Sequence, residues 1–419
     1  MRLPLAAMPE SILPYHERLP DLERELSDRG SVGVVVVDAT PLGAIEDEYG
    51  VQVYERVRQR LFTILEDSRG KDYRTGDILC LDRPRGLRFL FFLDRKRRRI
   101  VPLSVADLKA ARARVTASLL EKLSKAGYPY AKRPRLKAGH GLALYNPLLH
   151  TERMIERALE MAEAQAAHQR RDEEFLELER LEDILLRERV ATSYQAIMRV
   201  QEEPQTVMGF EALSRGPRGS GLETAGALFD AAEAHGLVVE LDRLCRRRAL
   251  LSSGRIPSSS KIFVNTLPAT MRDPQFRGKA LIDFLDKAQV APDRIVIEIT
   301  EQEVIENYEM FRDTMANFTD LGMSFAVDDV GAGYSGLESI AKLKPSYLKI
   351  DFSLVHDVHV SSVNRAMVAA IIGLGHKIGA KVIAEGIQIS EELQVLREQN
   401  VDYGQGYYLA RPDDPREPP

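Results

Sequence analysis

Ser324–Gly336 reads SFAVDDVGAGYSG, a short apolar run that stops at two adjacent acids and a glycine-rich turn. Neighbouring residues on a strand point to opposite faces, so Asp328 and Asp329 are expected to converge only if the strand ends there and the chain curls over, which Gly331 and Gly333 permit. Two carboxylates a few ångströms apart repel unless a proton or a cation lies between them, and oxygen-only ligands suit Mg2+ or Mn2+. An isolated Asp-Asp pair is ordinarily a solvated turn. Its reading changes because the same layout recurs along the second half of the chain.

Outward from this stretch, KIFVNT, IVIEIT, SFAVDD, YLKID and KVIAEG each end a β-branched run on a polar or charged residue: Asn265, Glu298, Asp328, Lys349 and Glu385. Helical stretches such as Tyr308–Leu321 and Asn364–Ile378 separate them, Tyr194–Val200, Val207–Leu213 and the helix Ala225–His235 precede them, and YGQGYYLA follows. Polar residues at the C-terminal ends of successive strands are how a (β/α)8 barrel builds its site. An open doubly wound sheet fits less well, because neither a nucleotide-binding glycine loop nor a Walker pattern is present.

At 419 residues the chain is too long for one ordinary core and implies two or three domains. Its 44% hydrophobic and 29% charged content is that of a globular protein. No run reaches the length of a membrane helix, and the opening MRLPLAAMPESILPY is too short in apolar residues for a secretory signal, so a cytoplasmic protein is expected. The two cysteines, Cys80 and Cys245, suggest neither zinc nor a disulfide framework. A formal charge of −5 argues against general nucleic-acid binding, but not against one small anionic ligand.

The first 150 residues alternate differently. A short helix over Leu22–Arg29 leads to the strand Val32–Val37, and a helix over Ala44–Asp67 carries Ile45, Tyr49, Val53, Val57, Leu61 and Ile64 at helical spacing. Strands are expected over Asp77–Leu81, Gly86–Leu93 and Ile100–Leu103, with the basic run Arg95–Arg99 as a charged hairpin tip, and a helix over Val105–Ala126 stopped by Gly127. This is an α/β sandwich with antiparallel strands. From 151 to 189 the pattern is a helical linker with two apolar stripes, Met154, Ile155, Ala158, Leu159, Ala162 and then Leu176, Leu178, Leu181, Ile184, Leu185. The polar QAAHQRRDEE between them argues against one unbroken coiled coil, and spacing does not choose between a helix packed on its own chain and one that pairs across a dimer. The expected division is therefore 1–150, linker 151–189, barrel 190–412 and tail 413–419.

Two resemblances attach to these residues. Val34–Gly50, VVVVDATPLGAIEDEYG, resembles the opening of a GGDEF (diguanylate cyclase) domain, and Arg85-Gly86-Leu87-Arg88-Phe89 falls where that family has its naming motif. The likeness covers roughly residues 30 to 165, and the acids are missing: Thr40 stands for a second metal-binding Asp, Gly43 and Glu46 for a Lys and an Asn, and Leu87-Arg88 for the acidic pair. Such a site implies no cyclase activity, because it lacks the carboxylates that hold the metal. A regulatory or dimerising role, responding to a ligand or protein, is expected instead.

In the second half, Glu211-Ala212-Leu213 within GFEALSR is the naming motif of the EAL family of cyclic-di-GMP phosphodiesterases. VNT at Val264, EITE at Glu298, DDVGAGYS at Asp328, LKID at Leu348, AEG at Ala384 and QGYYLARP at Gln405 then follow in that family's order. The resemblance implies that Glu211, Asn265, Glu298 and Asp328 bind one divalent ion and that Asp328, Asp329 and Glu385 hold or serve a second. It also makes Lys349 a residue that orients water or neutralises charge on phosphorus, Glu385 a general base or water-positioning acid, and Gln405 a polar contact behind the ligands. Glu301, one helical turn past Glu298, matches a glutamate that steadies the glycine-rich loop, and Arg215 an arginine that contacts a substrate phosphate. The chain departs from the family at Gln388, where a Glu is usual, at Val330 and Ala332 beside the acids, and at Ser214 and Gly216.

The expectation is a Mg2+- or Mn2+-dependent enzyme, with two ions, that linearises cyclic-di-GMP to pGpG and forms a homodimer. Alternatives are a catalytically silent cyclic-di-GMP receptor signalling through the linker helix, or an interaction protein that has lost both activities.

Overall fold

A computed structural model describes residues 12–93, 103–128, 130, 134–302, 315–332 and 337–413. Outside them lie the basic run Arg95–Arg99, the expected strand Ile100–Leu103 except its last residue, the first half of the helix expected over Tyr308–Leu321, Gly333 and the residues up to 336, and the tail from 414. The chain divides into two compact units, Met1–Leu176 and Glu177–Pro419.

In the first unit, β1 (Ser31–Asp38), β2 (Ile78–Leu81), β3 (Arg88–Phe92) and β4 (Lys137–Leu144) form a sheet in the order β2-β3-β1-β4 with every pair antiparallel, as the sequence led us to expect. The run VGVVVV on β1 is buried on both faces. Val35 and Val37 pack with Val57 and Leu61 of the helix Val51–Asp67, and Val34 and Val36 pack with Ile155, Ala158, Leu159 and Ala162. The helix that carries these last four residues, Thr151–Leu186, lies against β4 itself, where a Cβ on Gly139 or Gly141 would stand 1.8 or 1.9 Å from the carbonyl oxygens of Ala162 and Ala158. The helix expected over Ala44–Asp67 is divided by Gly50, at φ 77°, into Ala44–Tyr49 and Val51–Asp67.

The linker is a single helix, Thr151–Leu186. Its polar middle interrupts an apolar stripe without interrupting the backbone, because QAAHQRRDEE contains no Gly or Pro and is built mostly of good helix formers. Met154 to Ala162 are buried in the first unit, whereas Leu181 and Ile184 are buried in the second against Val190, Leu222, Leu228 and Ala231. The buried members of each stripe pack within their own unit, whereas Leu176 of the second stripe is exposed.

The second unit is a closed barrel of eight strands in the order β10-β11-β12-β5-β6-β7-β8-β9. Its strands are β5 (Ala191–Arg199), β6 (Thr206–Arg215), β7 (Lys261–Asn265), β8 (Ile295–Thr300), β9 (Ser324–Val330), β10 (Tyr347–Ile350), β11 (Lys381–Ala384) and β12 (Tyr403–Gly404). The neighbours from β6 round to β12 are parallel, but β5 runs antiparallel to both β12 and β6, so the first connection is a hairpin instead of a βα crossover. Inside, Ile197, Met208, Phe263, Val296, Ala326, Ile383 and Tyr403 form an apolar layer with Tyr347. Two residues further along several of these strands, on the same inward face, the side chains turn polar.

Candidate active site

That polar layer draws one side chain from each strand or the residue just past it: Gln195, Glu211, Asn265, Glu298, Asp328, Lys349, Glu385 and Gln405. Lys349, fully buried on β10, is the hub. Its Nζ lies 2.7 Å from Glu385 Oε1, 2.8 Å from Glu298 Oε1, 3.0 Å from Asp328 Oδ2 and 3.6 Å from Glu211 Oε2. Burial lowers the pKa of this ammonium, yet the four carboxylates outweigh it and hold Lys349 well above its usual value.

The carboxylates are crowded beyond what one lysine neutralises. Glu298, 1% exposed, is pushed well above the usual carboxylate range, chiefly by burial; Lys349 lowers it in part, and the charges of Glu211 and Asp328 raise it further. Glu385 is raised in the same way, by burial first and by Asp328 next. Asp329 is pushed up to about 6 by burial and then by the charge of Asp328.

Glu211 is held from two sides. Asn265 Nδ2 donates to its Oε1 at 3.2 Å and Gln405 Nε2 to its Oε2 at 2.7 Å. Gln405 Nε2 also donates to Gln195 Oε1 at 3.1 Å, and Gln195 Nε2 donates onward to the Ala410 carbonyl at 3.0 Å. Gln195 was not singled out from the sequence. Because β5 is reversed, its inward polar residue falls in mid-run and not at a strand end; the available signal was a polar residue within the apolar Tyr194–Ile197 run.

The two aspartates converge differently from the sequence expectation. β9 does not end at Asp328 but continues to Val330. Against β10, Leu348 pairs with Val327 and Ile350 with Val330, so β9 carries one extra residue, a bulge, at the acid pair. Asp329 takes the left-handed conformation, φ 57°, which Asp tolerates better than most residues and which turns its carboxylate toward that of Asp328. Gly331, at φ 98°, follows as expected, and its N–H donates to Glu301 Oε2 at 3.0 Å. Glu301 is therefore placed to steady this loop, although it stands just past the end of β8 and not one helical turn beyond Glu298. Arg215, at the end of β6, is not within the carboxylate cluster; its Nη1 donates to the Ser214 carbonyl at 3.0 Å.

The donor set suits hard divalent cations. Glu211, Glu298 and Asp328 form one group and Asp328, Asp329 and Glu385 another, each with ligand atoms within 4.8 Å of one another, and Asp328 belongs to both. Glu298 Oε1 has the Lys349 ammonium at 2.8 Å, but its buried Oε2 accepts no hydrogen bond among the described residues, as is also true of Gln405 Oε1. A buried carboxylate with open lone pairs, surrounded only by oxygen donors and one ammonium, is incomplete without a further cation. Beside it a cavity of about 300 Å³ is lined by Ser214, Phe229, Asp242, Cys245 and Arg246 and opens on Asn265 and Glu298.

The N-terminal unit shows the opposite economy. Asp38 Oδ1 accepts from Thr40 N at 3.1 Å and Oγ1 at 2.6 Å, and Oδ2 from Arg170 Nη2 at 2.6 Å. Burial would raise this carboxyl, but these hydrogen bonds more than offset it and hold it below its usual range. The one acid left at the end of β1 is satisfied by the chain itself.

The fold and the site define a closed-barrel protein whose polar rim gathers oxygen donors around a buried lysine. Residues 178–412 match the EAL domain, and the chain belongs to that family. It is 29% identical over 248 residues to the signaling protein YkoW of Bacillus subtilis, covering 57% of this chain and 30% of YkoW. To the probable cyclic di-GMP phosphodiesterase PdeG of Escherichia coli it is 27% identical over 303 residues, covering 68% of this chain and 59% of PdeG. The chain thus spans less than two thirds of the length of these relatives. Among solved structures it resembles PaMucR phosphodiesterase in complex with c-di-GMP, with a TM-score of 0.50 and 25% identity over 56% of this chain and 96% of that one. No helix among the described residues is long and apolar enough to cross a membrane.

Proposed function

We propose that the barrel unit hydrolyses cyclic-di-GMP to linear pGpG with two Mg2+ or Mn2+ ions, held by Glu211, Asn265, Glu298 and Asp328 on one side and by Asp328, Asp329 and Glu385 on the other. The observation that carries this reading is the pair of three-carboxylate groups sharing Asp328, with a buried Glu298 Oε2 that accepts no hydrogen bond among the described residues. When bound, such ions supply an acidified water and polarise a phosphodiester. The substrate class comes from the relatives, PdeG by its name and PaMucR by its complex.

The chain's own residues divide the remaining work. Glu385, whose carboxyl is raised and borders the second group, takes the proton of the attacking water. Lys349 stays charged at the centre and offsets negative charge as it grows on the phosphoryl oxygens. The water oxygen bonds to phosphorus as one P–O3′ bond breaks, and the departing 3′ oxygen takes up a proton from solvent, leaving a free 3′ hydroxyl and a 5′ phosphate. Arg215, on the rim, pairs with the phosphate that does not react, as its forked donors suit. Gln405 and Asn265 hold Glu211 in place, and Glu301 holds the loop after the aspartates through Gly331. The N-terminal unit is read as regulatory and without cyclase chemistry, and the assembly as a homodimer.

The test is to incubate the full chain and its Glu211→Ala variant with cyclic-di-GMP and Mn2+ and to follow product by chromatography. The wild-type protein is expected to yield pGpG and the variant almost none. Binding of cyclic-di-GMP by calorimetry with no pGpG from the wild type would replace the enzyme with a receptor.

A further inference from the structure

Glu385 and Lys349 stand at the ends of short strands, and the chain leaves the barrel directly after each. Behind those exits lies a buried acid that takes no part in the carboxylate cluster. Glu392, in the first turn of the helix Ser390–Glu398, is 1% exposed. Its Oε2 accepts from the backbone N–H of Gln388 at 2.8 Å and of Ile389 at 3.3 Å, and its Oε1 from the N–H of Asp357 at 3.2 Å. The first two bonds are local and belong to the start of its own helix. The third is not local, since Asp357 lies 35 residues earlier, in the segment that leaves β10.

The two exit segments meet a second time. Gly386, immediately after Glu385, has φ 71°, and a Cβ there would stand 2.5 Å from Phe352 Cδ2 and 3.0 Å from Phe352 Cβ. Phe352 in turn stacks on His356, with ring centroids 5.3 Å apart, and His356 Nδ1 lies 3.6 Å from Glu392 Oε1. At the root of the same segment Asp351 N donates to the Val330 carbonyl at 3.2 Å, which ties it to the strand carrying Asp328 and Asp329. Residues 351–357 therefore touch β9 at one end and the β11 exit at the other, and Glu392 fastens the far end.

We propose that Glu392 is a positioning residue for the cation-binding rim: a buried carboxylate that clamps the β10 exit to the β11 exit, and so sets the separation of Lys349, Glu385 and the Asp328–Asp329 bulge. The inference rests on the reading of that rim as a divalent-cation site. An ionised acceptor makes shorter, stronger bonds to N–H groups than a neutral one, so the clamp depends on charge as well as on shape. In Glu392→Gln the shape is kept, while one acceptor oxygen becomes an NH2 that faces a backbone donor.

The experiment uses the full chain, with hydrogen exchange read on the peptides containing Asp357 and Gln388–Ile389 and Mn2+ affinity read by calorimetry. In Glu392→Gln both peptides should exchange faster, and Mn2+ affinity should fall about tenfold, the lower end of the loss seen when partners behind metal ligands are removed. Faster exchange with Mn2+ affinity within about twofold of wild type would make Glu392 a helix cap and overturn the proposal, as that is well short of what a partner behind the ligands contributes. Unchanged exchange would overturn it too. If Glu392→Gln shows no cooperative unfolding transition, Glu392→Asp, which keeps the charge on a shorter stem, is read by the same two measurements and criteria. A wild-type protein that binds Mn2+ but makes no pGpG would sink the hydrolase reading and leave this one standing; one that binds no Mn2+ would sink both.

Discussion

Replacing Lys349 by Met keeps a long unbranched side chain and deletes the one cation, among the described residues, that pairs with Glu211, Glu298, Asp328 and Glu385, which lie 2.7 to 3.6 Å from its Nζ. Removing one partner of a buried ion pair typically costs about 3–5 kcal/mol, because the other is left buried and uncompensated. Here four acids lose one cation, and proton uptake by Glu298 and Glu385, already raised, limits the loss to about that range. At about 2–4 °C per kcal/mol for a unit of this size, melting in EDTA should fall by about 6–20 °C. Added Mn2+ should raise the melting temperature of the variant more than that of the wild type, since a bound cation replaces the missing charge. Turnover should fall as well. The assay is differential scanning calorimetry with and without metal, alongside pGpG formation. A metal-free variant melting within about 2 °C of wild type, a shift worth under about 1 kcal/mol, would show that the carboxylates do not depend on Lys349 and would refute the arrangement described above.

Gly331→Ala should destabilise the barrel by about 1–3 kcal/mol through the backbone alone. Its φ is 98°, and the added Cβ would meet Leu354 Cδ1 at 2.3 Å, so denaturant unfolding should show the loss and turnover should fall as the Glu301 bond to this loop is disturbed. The pH dependence follows from the raised carboxyls. Asp329 sits at about 6 in the metal-free protein, from burial and then the Asp328 charge, and must give up its proton to bind a cation. Mn2+ affinity should therefore weaken as pH falls through about 6, and calorimetry in buffers of different ionisation enthalpy should show protons released on binding near that pH. Binding without proton release would mean that the acids are already ionised and apart.

Much of the site was legible because its signal is local. A β-branched run with a polar residue at its end is complete within about six residues, and Asn265, Glu298, Asp328, Lys349 and Glu385 all announce themselves in that way. Glu301 could be assigned to the glycine-rich loop by resemblance, and its bond to Gly331 places it there. The features that escaped depend on residues far apart in the chain. Gln195 joins the ring only because β5 runs opposite to β6 and β12, and no periodicity within Ala191–Arg199 reports a strand's direction. The bulge at Asp328–Asp329 exists only against β10, since a bulge is a mismatch between two strands.

From the amino-acid order alone came the barrel and its strand-end acids, because side-chain alternation and strand-end chemistry are properties of short segments; the family came from the resemblance of its ordered motifs. Tertiary structure decided how those acids face one another. Closure of the sheet put Lys349 within 3.6 Å of four carboxylates, the left-handed Asp329 brought the second carboxylate close to the first, and an unbroken helix ran through a polar stretch that looked like an interruption. Charges placed by separate strands acquire their distances, and with them their pKa values, only when the strands pair.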